Sequence, residues 1–243
     1  NSQGFCSWSF RKQPKFFDIV TYTGDGQDGG RAISHNLGSV PGMMWVKRTS
    51  SARDWVVYHR GNTAAPETDI LKLNTSDATS DLGSAWYDTL PTATEFTLGD
   101  QIGVNANGET YIAYLFAHNN NDGGFGEPGD QDIIKCGSYT GNDSSQDINL
   151  GFEPQFVMFK GTSEDNSQWN IVDTLRGLTV DQATDKVIYA NDDGAESSED
   201  ANIGAEAFGV TSTGFSVAGT EVLHNKNGNN YIYMAIRRGG NKT

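Results

Sequence analysis

The chain has 243 residues, 29 of them Gly, with 36% aliphatic, aromatic or cysteine residues and a formal net charge of −14. Its 5 Trp, 9 Tyr and 12 Phe exclude a disordered chain, and its glycines, which show no period of three, exclude a collagen-like one. No apolar run approaches the ~18 residues of a membrane span, and the acid excess repels phosphate backbones, against general nucleic-acid binding.

Residues 1–15 form a lead-in that carries Arg11, Lys12 and Lys15 and no acid. That is either a solvated basic end or a docking segment for another part of an assembly. It begins at Asn1, without Met or a positive-then-apolar signal, and reads as a processed product or an excised fragment. FCSWSF at 5–10 resembles the last strand of a repeat, such as YIAYLFA at 111–117, so it reads as the tail of a further unit whose strand edge needs a partner. Short β-branched or aromatic runs bounded by turn residues then predict strands at 46–47, 55–58, 71–73 and 111–116, and at 156–159, 187–189 and 231–236. Asn107-Gly108 and Asn227-Gly228 each precede such a run and predict type I′ hairpin turns. No window holds a 3.6-residue apolar period over three turns.

The chain is written twice. Tyr22-Thr23-Gly24 answers to Tyr139-Thr140-Gly141, Asn36-Leu37-Gly38 to Asn149-Leu150-Gly151, and Pro41 to Pro154. Lys47 answers to Lys160, Trp55 to Trp169, Arg60-Gly61 to Arg176-Gly177, and Asn105, Asn107-Gly108 and Tyr111 to Asn225, Asn227-Gly228 and Tyr231. The expected organisation is the lead-in at 1–15, repeat one at 16–118, a Gly-rich linker at 119–132 and repeat two at 133–238. The expected fold is all-β: tandem antiparallel, jelly-roll-like β-sandwiches, either separate or fused into one unit.

Duplication separates architecture from specialisation. Residues present in both copies belong to the frame: Trp55 and Trp169 as core anchors, Pro41 and Pro154 at strand starts, Lys47 and Lys160 as rim lysines. Trp45 faces Met158 in the alignment and reads as core filling. Residues in one copy are freer to form a site. Trp86-Tyr87 lies in a polar stretch, 74–97, and suits stacking on a sugar ring, with Asn74, Asp81 and Asp88 bonding its hydroxyls; the alternative is a plug at the sandwich end. Asp192, Asp193, Glu196, Glu199 and Asp200 place five carboxylates in nine residues, either a Ca²⁺ loop or a solvated acidic one, without EF-hand spacing. Cys6 and Cys136 lack C-x-x-C spacing and read as two buried free thiols, with a disulfide between them as the alternative. His35, His59, His118 and His224 form no H-E-x-x-H, and neither a G-x-S-x-G elbow nor a P-loop occurs. No enzyme is indicated, and no cofactor besides the candidate Ca²⁺.

FFDIVTYTGDG, HNLGSVPGMMWVKR, FTLG at 96–99, VNANGETYIAYLFA, KCGSYTGND, NLGFEPQFVMFK and NNYIYMAIRRG together resemble a duplicated module of bacteriophage and prophage tail-fibre or tailspike proteins, over about residues 5–239. The resemblance implies β-sandwiches near the host-facing end of a virion tail, in fibres that are typically homotrimers, with other tail proteins as partners. It carries over no catalytic residues. The first expectation is therefore a non-catalytic adhesion module for host-surface glycan, raised in affinity by multivalent display. A structural spacer or assembly module comes second, and a polysaccharide depolymerase, which needs two paired carboxylates, a distant third.

Overall fold

The computed structural model describes residues 6–126, 129, 131–178, 186–194, 196–198, 208–220 and 222–239. The fold is all-β. Repeat one contributes β1 (Phe17–Thr23), β2 (Arg31–Ser34), β3 (Pro41–Arg48), β4 (Trp55–His59), β5 (Asp69–Lys72), β6 (Ser80–Asp81), β7 (Glu95–Leu98) and β8 (Thr110–Ala117). Repeat two contributes β9 (Ile134–Thr140), β10 (Gln146–Asn149), β11 (Pro154–Gly161), β12 (Asn170–Asp173), β13 (Lys186–Tyr189), β14 (Ser197–Ser198), β15 (Phe208–Thr211), β16 (Gly214–Val217) and β17 (Asn230–Arg237).

Each copy builds a six-stranded antiparallel sheet with the same order: β1-β8-β3-β4-β5-β6 and β9-β17-β11-β12-β13-β14. Pro41 and Pro154 open equivalent strands, and the ladder shifts register just after each. The outer faces are covered differently. Repeat one uses the β2-β7 pair, a one-turn helix α1 (Ile102–Asn105) and the loop carrying Trp86. Repeat two uses the three-stranded sheet β10-β16-β15, whose Phe208 stacks on Phe159 and Phe215.

The inner faces pack on each other, so the sandwiches are fused. One core joins Met43, Phe116 and Leu71 of repeat one to Phe156, Met158, Trp169 and Met234 of repeat two. A second core lies wholly within repeat two. Strands buried on both faces read as near-continuous apolar runs, as PGMMWVKR and QFVMFK do. The seam is tight where side chains are small: a Cβ on Gly42 would sit 2.8 Å from the Cys136 Cβ, and one on Gly61 3.1 Å from the Ser138 hydroxyl.

A shared frame of tyrosine and asparagine holds each copy. Tyr22 stacks on Tyr111 at 5.2 Å and Tyr139 on Tyr231 at 5.0 Å. Tyr111 donates to Ile102 O and accepts from Ala106 N; Tyr231 donates to Val222 O and accepts from Lys226 N. Asn105 and Asn225 are fully buried, and each ties the loop after the first strand to the loop before the last. That loop approaches so closely that a Cβ on Gly24 or Gly141 would lie 2.1 or 2.2 Å from a carbonyl oxygen.

Several expectations are corrected. The Asn-Gly turns do not close hairpins. Only the glycines, Gly108 at φ 76° and Gly228 at φ 82°, are left-handed, and each turn follows a helical or turn segment rather than a strand. The described part of FCSWSF is not a strand; residues 6–12 form a strap held by side chains. Trp8 packs edge-on against Phe156 and donates to Asp173, while Phe10 packs on Phe17, Phe116 and Phe156. Two basic residues of the lead-in dock on their own chain: Lys12 pairs with buried Asp18 at 3.0 Å, and Lys15 donates to Asp122 O. Both cysteines are free, but Cys6 is exposed, because the strap buries Trp8 and Phe10 in its place.

Candidate functional site

The residues expected to bind a sugar are placed apart in role. Trp86 is 1% exposed, with its indole N–H donating to Asp69 O and its ring edge-on to Tyr58 at 5.9 Å. It plugs the outer core of repeat one, which corrects its reading as a stacking platform: a ring with both faces packed offers none to a ligand. Tyr87 is 42% exposed. Its backbone is left-handed at φ 54°, as is that of Asp88 at φ 44°, an uncommon conformation for residues with a Cβ. The Tyr87 ring lies on Gly30, where any Cβ would come within 2.6 Å of it. Asp88 folds back over Gly83, Asp81 sits exposed on the short edge strand β6, and Asn74 bonds Asp54 and the Trp55 N–H.

Asp192 and Asp193 are exposed, and Asp192 accepts from Gly194 N. Glu196 pairs with Arg176 at 3.2 Å. Glu199 and Asp200 lie outside the described residues. Among the described residues no three His, Cys, Asp or Glu side chains gather to hold a metal ion.

Sequence reasoning missed the cleft between the repeats. Between the inner faces lies a space of about 400 Å³ lined by Phe17, Trp45, Trp55 and Tyr114 of repeat one and Phe156 and Met158 of repeat two. Trp55 and Trp45 are therefore only partly buried, a correction to their reading as core anchor and core filling, whereas Trp169 is enclosed. The Trp169 indole N–H crosses to Lys72 O at 2.8 Å. The strap closes one side of the cleft with Trp8 and Phe10. The signal for this was the two-sided apolar character of β3, β8 and β11, which required a partner for each inner face.

The titratable groups at the seam are buried and quiet. Burial holds the His59 and His118 imidazoles down to about 4. His59 Nε2–H donates to Tyr233 O, and its Nδ1 accepts from Gly61 N. His118 Nδ1 accepts from Cys136 N, and burial pushes the Cys136 thiol well up, away from nucleophilic use. Lys160 corrects the rim expectation. It is fully buried, donates to Ser167 O, lies 5.8 Å from the Trp169 ring centroid, and burial lowers it to about 8. Lys47, its counterpart, stays at the rim over Trp55 and donates to Arg53 O.

The family described as a domain of unknown function, DUF7483, matches residues 9–238, and the chain belongs to that family. No curated protein matches the sequence. A solved structure described as "Crystal Structure of the STIV MCP" aligns over 91% of this chain and 95% of that one, at 10% identity and a TM-score of 0.23. Likeness at that level carries no argument about fold or role.

Proposed function

We propose that this chain is a non-catalytic structural and assembly module of a bacteriophage tail-fibre or tailspike protein, located in the virion tail. The observation that supports it is the core that the two repeats share, crossed by Trp169–Lys72 and His59–Tyr233 bonds and strapped by Trp8 and Phe10. A duplicated unit locked in this way is a stiff spacer. Its partners are other tail proteins and further copies of itself in a trimeric fibre. Amine-reactive cross-linking of assembled tails, read by mass spectrometry, should join its lysines to another tail protein or a second copy. Cross-links confined to the chain itself would overturn the reading.

A second reading, adhesion to host glycan, is favoured by one observation: Tyr87 holds an exposed ring on a left-handed backbone beside Asp88. Strained backbone of that kind is concentrated at functional sites. A glycan array read with Ca²⁺ and again with EDTA decides it. A hit lost in Tyr87→Ala supports adhesion, and loss in EDTA adds a metal.

A further inference from the structure

The two repeats share a frame but differ sharply at one corner, where β10 turns into β11 and β17 ends. Pro41 pairs with Ala117 where Pro154 pairs with Arg237, so Arg237 occupies the place of Ala117, and Arg238 that of His118. Glu153 stands where repeat one has Val40. Phe96 and Phe215 face Ile33 and Ile148 in equivalent pairs, which sets Ser212 in the place of Ala93. Four positions that are apolar or neutral in repeat one thus carry two guanidinium groups, a carboxylate and a hydroxyl in repeat two.

Among the described residues the same corner is filled in one copy and open in the other. In repeat one Pro14 lies 3.6 Å from where a Gly38 Cβ would sit, and Lys15 N donates to Leu37 O. In repeat two no described residue comes within 4 Å of the equivalent point on Gly151, and a polar cleft of about 370 Å³ opens there.

Arg237 is the unusual group in this cleft. It is half-buried against the Phe152 ring at 5.9 Å and donates to Asp132 O at 3.3 Å. The Asp132 carboxylate itself is committed to Lys135 at 3.1 Å. The other half-buried arginines, Arg31, Arg48 and Arg176, each pair with a carboxylate. Among the described residues Arg237 pairs with none. A guanidinium stays charged at any working pH, and withdrawing it from water without an anion is costly. In a chain of net charge −14 the missing anion is not for want of acids. Arg238 adds a second cation, paired with Glu153 at 2.6 Å, and Ser212 adds an exposed hydroxyl.

We propose that this corner of repeat two binds an anionic group on a hydroxylated carrier, the carboxylate of an acidic saccharide or the phosphate of a sugar phosphate. Arg237 presents its two-pronged donor face to the anion. Arg238 reinforces the charge, and Ser212 and Glu153 meet the carrier's hydroxyls. The inference does not rest on the assembly reading and stands if that reading fails.

The test is titration of the full chain at low salt, by NMR chemical shift, with glucuronate, glucose 6-phosphate and neutral glucose. At least one anionic probe should saturate while glucose does not, and the tighter of the two names the source of the anion. Arg237→Met, which keeps the apolar stem on Phe152, should weaken binding about tenfold or more, the loss of a charge-assisted bond. Ser212→Ala, which installs the repeat-one residue in an exposed turn, should weaken it less and leave the fold intact. Arg53→Met, at an exposed arginine of repeat one, should change nothing. Failure of both anionic probes to saturate, or equal weakening by Arg237→Met and Arg53→Met, would overturn the proposal.

Discussion

Repeat one and repeat two have the same sheet order, the same tyrosine stack and the same buried asparagine, yet equivalent side chains live in different surroundings. Trp169 is enclosed at the seam while Trp55 borders the open cleft. Lys160 is buried while Lys47 reaches the rim. His59 crosses the seam to Tyr233, whereas Asp173, its counterpart, receives the strap's Trp8 and Arg176. What survives duplication is therefore the set of groups that hold the backbone. What diverges is what each copy meets across its faces, since packing one copy against the other makes their environments inequivalent.

The largest expected break of this comparison is at the tryptophans. Trp169→Ala should cost about 3–5 kcal/mol in chemical denaturation, the range for emptying an enclosed aromatic site. Trp55→Ala should cost clearly less, because its site already opens to the cleft. Equal losses would show that the cleft is closed in solution.

Acid should act mainly at the seam. His59 and His118 titrate near 4 when folded and near 6.5 when unfolded, so the unfolded chain binds more protons between those values. Stability should fall as pH drops from about 6.5 to about 4, by on the order of 3 kcal/mol for the fully enclosed His59. His59→Gln should flatten that part of the melting-temperature profile, and an unchanged slope would remove His59 as its source.

The frame should respond symmetrically. Asn105→Ala and Asn225→Ala each strip several hydrogen bonds from a buried loop junction and should cost about 2 kcal/mol apiece, measured by urea unfolding. Unequal losses would break the equivalence of the two frames.

At neutral pH the smallest effect should come from the lysines. Burial depresses Lys160 to about 8, so the unfolded chain binds more protons between about 8 and 10.5, and native stability should rise across that window. Lys160→Met should remove the rise and stabilise the chain near neutral pH by about 1 kcal/mol, while Lys47→Met should do neither. A matching pH profile in both variants would mean that Lys160 is hydrated.

Much of the frame was legible in the sequence. Tyr-Thr-Gly, Asn-Leu-Gly and Asn-x-Asn-Gly recur because a close backbone approach at Gly24 and Gly141 tolerates only glycine and a buried asparagine must stitch two loops. The candidate site was not legible. Trp86 and Tyr87 are neighbours in a polar stretch, and no local pattern says which turns inward; Tyr58, from β4, takes Trp86. The specialised corner was hidden for a similar reason, because Glu153, Ser212 and Arg237 come together only after strand pairing.

The sequence by itself determined the duplication, the all-β class, the strand-rich copies and the glycines that let loops close. These follow from short-range patterning and backbone sterics. Only the tertiary structure decided that the sandwiches fuse, that one tryptophan of a repeated pair is enclosed while the other edges a cleft, and that a lysine in one copy loses its water. Burial depends on what distant segments lay against a face, and the order of residues along one strand does not carry that.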